Sequence, residues 1–104
     1  MEYCMIECAF DNKEEVNKIV ERLLKEKIVS SCQIVESDSR WNWNGEYEES
    51  KEYLVFMKTK KSLIINVYKE IKKVHSYECF EFAVFDINSC NNDYLKWIEM
   101  ETIN

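Results

Sequence analysis

Few side chains of this sequence could do chemistry, and the cysteines and the single histidine, His75, come first. The sequence has five cysteines, at Cys4, Cys8, Cys32, Cys79 and Cys90. No two of them are spaced as Cys-x-x-Cys, which argues against a zinc knuckle or a thioredoxin-like pair. Cys8 and His75 could act as nucleophile and base. Such an enzyme also needs donors that hold an oxyanion, and one glycine in 104 residues makes a glycine-rich loop hard to build. We therefore predict a protein without catalytic activity.

A second group of reactive side chains is the acidic run at Glu46, Glu48, Glu49 and Glu52. Carboxylates beside an exposed turn could bind hard divalent cations weakly. A run of like charges also keeps an edge strand from pairing with the wrong partner. We favour the second interpretation, and the first stays open.

Composition and charge limit the classes of partner. The sequence carries 20 acidic and 14 basic side chains, a formal net charge of −6, which argues against binding to a nucleic-acid backbone. No apolar run approaches the length needed to cross a membrane. Residues 1–4 are acidic and lack the basic flank of a signal peptide. We expect one domain over residues 1–104, a cytoplasmic location and no structural disulfide, with most of the thiols acting as small apolar side chains.

The elements that must position these residues follow from hydrophobic periodicity. Asn12 can cap the first helix, and Glu15 follows three residues later as in a capping box. The predicted order is β-α-β-β-α-β followed by a short C-terminal helix capped by Ser89 or Asn91. The predicted elements are strands 2–9, 31–43, 46–58 and 79–87 and helices 13–27 and 60–74. This order predicts an α+β, ferredoxin-like plait: a four-stranded antiparallel sheet with both long helices on one face.

The turn between the second and third strands is the strongest local signal. Asn44-Gly45 is typical of a type I′ hairpin turn, in which both central residues need positive φ. Gly45 is the only glycine of the chain. Trp41 and Trp43 are two residues apart and therefore lie on one face of the strand that enters the turn. Two large rings on a protruding ribbon indicate a surface that needs a partner.

The third and fourth predicted strands are apolar on both faces, although two helices can cover only one face of the sheet. A second apolar face is larger than a monomer leaves in contact with water. We therefore predict self-association. We assign to its interface the two hairpin tryptophans and one face of the third strand: Trp41, Trp43, Tyr53, Val55 and Met57.

Five segments in order resemble the CutA divalent-cation tolerance family over nearly the whole chain. They are LLKEKIVSSC at 23–32, SRWNWNGE at 39–46, EYLVFMKT at 52–59, HSYECFE at 75–81 and NDYLKW at 92–97. The family is ferredoxin-like, cytoplasmic and trimeric, is linked to metal tolerance and copper binding, and is similar in architecture to the PII signalling proteins. The resemblance thus implies a homotrimer that binds a divalent metal ion. The alternative is a PII-like regulator that binds a small anionic ligand in clefts between subunits.

The resemblance also implies a metal site made of Cys8, His75 and Glu81. Thiolate, imidazole and carboxylate together suit copper or zinc. The sequence departs from the family where Ser76 and Phe80 replace the two prolines of its His-Pro-Tyr-Glu-x-Pro-Glu segment. Because proline fixes φ, we expect this segment to be looser here and its ligand geometry to be weaker.

Overall fold

The computed structural model describes residues 2–104. Met1, part of the N-terminal stretch from which we predict that there is no signal peptide, lies outside these residues. Four strands and three helices follow each other in the predicted order, with a 3-10 turn, Lys61–Leu63, before the second helix. They are β1 Tyr3–Phe10, α1 Lys13–Lys25, β2 Ser31–Trp43, β3 Glu46–Lys60, α2 Ile64–Val74, β4 Phe82–Asp86 and α3 Asn92–Glu101.

Local capping sets both ends of α1. The Asn12 side chain accepts a hydrogen bond from the Glu15 N–H at 3.0 Å, as predicted. The helix ends two residues earlier than predicted because Lys27 adopts φ 58°. This left-handed residue lets the Lys27 and Ile28 N–H groups reach the carbonyls of Leu24 and Leu23, a Schellman motif that closes the helix.

The β2–β3 hairpin is the longest feature of the sheet. Asn44 and Gly45 have φ of 52° and 81°, which confirms the predicted turn with two positive φ values. The two strands stay in register from the Ser31–Lys58 pair to the Trp43–Glu46 pair. The hairpin therefore carries the two tryptophans beyond the end of the sheet core.

The sheet is antiparallel with strand order β2-β3-β1-β4, and α1 and α2 cover one face of it. Ile6 and Cys8 of β1 pair with Met57 and Val55 of β3, and all four side chains are buried in the core beneath the helices. Tyr53 lies on the same face and packs against this core. The assignment of Tyr53, Val55 and Met57 to an oligomer interface is therefore wrong. The sequence shows two apolar faces of β3, and only the pairing register decides which of them meets the helices.

The opposite face of the sheet is free of the two long helices and is called the open face below. At one end of it, α3 is held by hydrogen bonds from Tyr3 and Lys60 to Glu99. In the middle lie Val35, which is 48% exposed, and the half-buried Leu54 and Phe56. The hairpin tryptophans lie on this same face at the other end, since Trp41 and Trp43 follow Val35 at even spacing along β2.

The fourth strand is shorter than predicted. It begins at Phe82, and residues 79–81 belong to an irregular segment after α2. Phe80 leaves the strand direction and stacks on His75, with ring centroids 4.6 Å apart. All five cysteines are free, as predicted. Within residues 2–104 no helix is long and apolar enough to cross a membrane.

Candidate functional site

A cleft of about 860 Å³ lies where the open face, the hairpin and the segment 76–81 meet. The open face supplies Glu7, Ala9, Glu52 and Leu54. The hairpin supplies Trp41, Trp43 and Glu48, and the irregular segment supplies Tyr77, Cys79 and Glu81. Three separate parts of the chain thus build one cavity, and carboxylates and aromatic rings dominate its lining.

Carboxylates crowd together in the cleft. Loss of surrounding water raises the pKa of Glu81, and the negative charge of Glu7, a hydrogen bond with Glu7 and the charge of Glu52 raise it further. None of the ion pairs formed within residues 2–104 uses these three carboxylates. The cleft therefore holds negative charge that the chain's own basic side chains do not neutralise.

Tyr77 fixes the most deeply placed of these carboxylates. Its hydroxyl donates a hydrogen bond of 2.6 Å to Oε2 of Glu52, a side chain that is only 8% exposed. Burial raises the pKa of Tyr77, and the hydrogen bond to Glu52 and the charge of that carboxylate raise it further. At neutral pH the phenol therefore keeps its proton and donates this hydrogen bond to Glu52.

The structure does not bring the three predicted metal ligands together. Cys8 lies on the helix side of the sheet and has no exposed surface. Burial raises the pKa of its thiol to about 12, and the negative charge of Glu81 acts in the same direction. A buried, protonated thiol is a structural side chain and a poor ligand. Of the three, only Glu81 lines the cleft.

His75 is engaged elsewhere. Its imidazole is fully buried between the rings of Phe10 and Phe80, at centroid distances of 4.4 and 4.6 Å. Nδ1 accepts a hydrogen bond of 3.0 Å from the Tyr77 N–H, and Nε2 lies 2.8 Å from the Ala9 carbonyl oxygen. Both ring nitrogens are therefore occupied, and neither can also bind a metal ion in this arrangement.

The two residues that replace the family's prolines make contacts that proline cannot make. The Ser76 N–H donates to Oε1 of Glu15 at 3.2 Å, whereas proline has no N–H to donate. This bond also takes the carboxylate that the predicted capping box would direct at Asn12. Phe80 stacks on His75 and on Tyr68. Hydrogen bonding and stacking thus hold the segment where we expected looseness from the loss of proline.

Sequence reasoning named Glu48 and Glu52 of the cleft as part of the acidic run beside the turn, but it missed Glu7, Tyr77 and Cys79 as their neighbours. A usable signal existed for Glu7, since it is a charged residue within β1 and lies opposite the face that carries Cys4, Ile6 and Cys8. No comparable signal placed Glu52 beside Tyr77. Within residues 2–104 no group of three or more histidine, cysteine, aspartate or glutamate residues is arranged to hold a metal ion in one chain.

Residues 4–101 match the family described as CutA1 divalent ion tolerance protein. The chain is similar to the divalent-cation tolerance protein CutA of Pyrococcus horikoshii, with 33% identity over 93 residues, which is 89% of this chain and 91% of that protein. It is also similar to the human protein CutA, with 32% identity over 91 residues, which is 86% of this chain and 51% of the human protein.

Solved structures of the same kind share the fold. The crystal structure of CutA1 from Pyrococcus horikoshii superposes with a TM-score of 0.91 at 31% identity, over 97% of this chain and 99% of that chain. The ferredoxin-like arrangement predicted from the order of elements is confirmed by this superposition.

Proposed function

The chain belongs to the CutA1 family of divalent ion tolerance proteins, and we propose that it serves divalent-cation tolerance as a homotrimeric binding protein. In this proposal the open face and the hairpin form the contact between subunits, and the acidic cleft binds the cation. The protein acts by binding and not by catalysis, as the names of its relatives, which describe no enzyme, support.

The open face supports self-association. Val35 and Phe85 are 48% and 47% exposed, and Trp43 at the hairpin is 47% exposed. Apolar side chains exposed on one continuous face mark a protein–protein contact more often than a free surface. Because every copy of the chain carries the same exposed face, a closed, symmetric assembly of subunits covers it in all copies.

The unneutralised carboxylates of the cleft carry the proposal of a cation site. Glu7, Glu52 and Glu81 repel one another, and a divalent cation would relieve this repulsion. A single chain lacks a complete set of ligands. The cleft adjoins the proposed contact through Trp41 and Trp43, so a neighbouring subunit or bound water would complete the coordination.

The carboxylate ligands indicate which metal ions the cleft would bind most tightly. Carboxylate oxygens accept zinc, and among divalent first-row ions a given site usually binds copper(II) most tightly. Copper or zinc therefore stays the proposed cargo, although the ligands differ from those predicted. The alternative, a PII-like anionic ligand, is the weaker candidate because carboxylates outnumber the single basic residue of this cleft, Arg40.

A cytoplasmic location is part of the proposal. Five free cysteines suit a reducing compartment, since secreted proteins of this size usually oxidise their thiols in pairs.

Calorimetric titration tests the cation site directly. Copper(II) and zinc(II) are titrated into the wild-type protein and into E7Q and E81Q. E14Q serves as the control because Glu14 is an exposed carboxylate in the first turn of α1, on the opposite side of the sheet. We expect the cleft variants to weaken binding about tenfold or more, a loss of about 1.4 kcal/mol, and E14Q to match the wild type.

Two outcomes would contradict the proposal. Equal affinities across all four proteins would mean that the cleft carboxylates are not ligands. A rise in melting temperature with nucleotides or organic acids, together with no binding of either metal, would favour the PII-like alternative.

A further inference from the structure

The wall of the cleft formed by residues 76–81 is neither helix nor strand, so something other than a backbone ladder must hold it. The point of attachment is His75, which ends α2 with its N–H bonded to the Ile71 carbonyl at 2.9 Å. Its ring lies almost parallel to both Phe10 and Phe80, with interplanar angles of 13° and 12°. The stack joins β1 on one side to the cleft wall on the other.

Hydrogen bonding fixes the tautomer of His75. A backbone N–H can only donate, so Nδ1 must accept the bond from Tyr77. Nε2 then carries the proton and donates to the Ala9 carbonyl. The neutral ring thereby ties the Tyr77 backbone to the end of β1, on the strand that also carries Glu7.

One further hydrogen bond connects Tyr77 to the carboxylates of the cleft. With its backbone held by His75, Tyr77 places its hydroxyl 2.6 Å from Oε2 of Glu52 on β3. We propose that His75 is a positioning residue: it places Tyr77 so that this hydroxyl holds Glu52, and it keeps the wall that carries Glu81 against the sheet. In this role His75 binds no metal, although it is the histidine of the predicted site.

Charged residues near the ring lie on α1, in the loop before α1 and on α2. Oε1 of Glu15 on α1 lies 3.7 Å from Nδ1 but already accepts the Ser76 N–H. Asp11, between β1 and α1, accepts a hydrogen bond from the Ser76 hydroxyl. Lys73 of α2 pairs with Glu70 at 2.9 Å. The two ring hydrogen bonds, and not an ion pair, therefore fix His75.

Three substitutions separate the two hydrogen bonds from the stacking. H75N keeps an acceptor near the position of Nδ1, H75Q keeps a donor near the position of Nε2, and H75F keeps an aromatic ring with neither group. The Tyr77 amide is followed by hydrogen exchange in nuclear magnetic resonance spectra, and thermal melting of each variant checks that it folds. This readout needs no metal ion.

We expect the Tyr77 amide to exchange between about twofold and about tenfold faster in H75F and H75Q, the factor that corresponds to one ordinary hydrogen bond. H75N should restore slow exchange. Y77F is the matched control: it removes only the hydroxyl, so the amide at position 77 should stay protected. Unchanged exchange in H75F, or the same rapid exchange in all three His75 variants, would overturn the inference.

Copper(II) titration of the same variants extends the test, and this part rests on the proposed function. If the cleft binds copper, H75F and Y77F should both weaken binding, while H75N stays near the wild type. A wild-type protein that binds no copper would contradict the proposed cation site. The role of His75 would then be decided by the hydrogen exchange of the Tyr77 amide alone. Copper affinity equal to the wild type in both H75F and Y77F would overturn the positioning role.

Discussion

Replacement of both hairpin tryptophans should dissociate the assembly, and the structure gives the magnitude. Trp41 and Trp43 are 36% and 47% exposed in the single chain. For a side chain that can bury up to about 250 Å², these fractions leave roughly 200 Å² per hairpin for a partner to cover. At about 25 cal/mol per Å² this is about 5 kcal/mol, and ordering two side chains removes about 1–3 kcal/mol.

The net gain of about 3 kcal/mol per chain corresponds to roughly a hundredfold change in an equilibrium constant. The double variant W41A/W43A should therefore dissociate at protein concentrations at which the wild type stays assembled. Light scattering after size exclusion, repeated over a dilution series, measures the mass. The wild type should have the mass of three chains of 12.6 kDa each.

Tyr47 provides the matched control for this experiment. It belongs to the same hairpin, is 64% exposed and lies on the opposite face, paired with Asn42. Y47A should leave the mass and the dilution profile unchanged. The reasoning is refuted if the wild type has the mass of one chain, or if W41A/W43A dilutes like the wild type.

Three further predictions concern single positions. C8S should lower the free energy of unfolding by about 1–3 kcal/mol, because it places a polar hydroxyl in the apolar core where a thiol is fully buried. C79S, at an exposed site, should not change it. Equal losses of the two variants in urea unfolding would contradict this. G45A should lower the free energy of unfolding by about 1–2 kcal/mol, because φ at this position is 81°. The added methyl group would meet no atom within 4 Å, so this loss comes from the backbone conformation alone. An unchanged unfolding midpoint would argue against the turn geometry. Because the pKa of Glu81 is raised in the fold, protonation of this carboxyl stabilises the protein below pH 4.5, and this stabilisation is lost as pH rises through the raised pKa. Over this pH range the melting temperature of the wild type should therefore fall relative to that of E81Q. Parallel profiles of melting temperature against pH would contradict the crowding of Glu7 and Glu81.

Much of the candidate site lay outside sequence reasoning because it is assembled from distant segments. The predicted ligands Cys8 and His75 are real features of the sequence, but the β1–β3 register turns Cys8 into the core. The stack with Phe10 and Phe80 takes His75 out of reach of solvent. Neither feature leaves a periodic signal, since Cys8 pairs with Val55 on another strand and His75 stacks on Phe10 of β1.

Sequence alone determined the order of the elements, the hairpin turn at Asn44-Gly45 and the shared face of the two tryptophans. These depend on neighbours within a few positions, where backbone sterics and a period of two or 3.6 residues decide the outcome. It also determined that the sheet has more apolar surface than two helices can cover.

The tertiary structure decided which apolar face of β3 is the core and which is open, because a strand that is apolar on both faces carries no preference of its own. It also decided that Glu7, Glu52 and Glu81 meet in one cleft and that Tyr77 and His75 hold its wall. Such convergence depends on strand pairing and on the path of an irregular segment, both of which are set by long-range packing that no local pattern encodes.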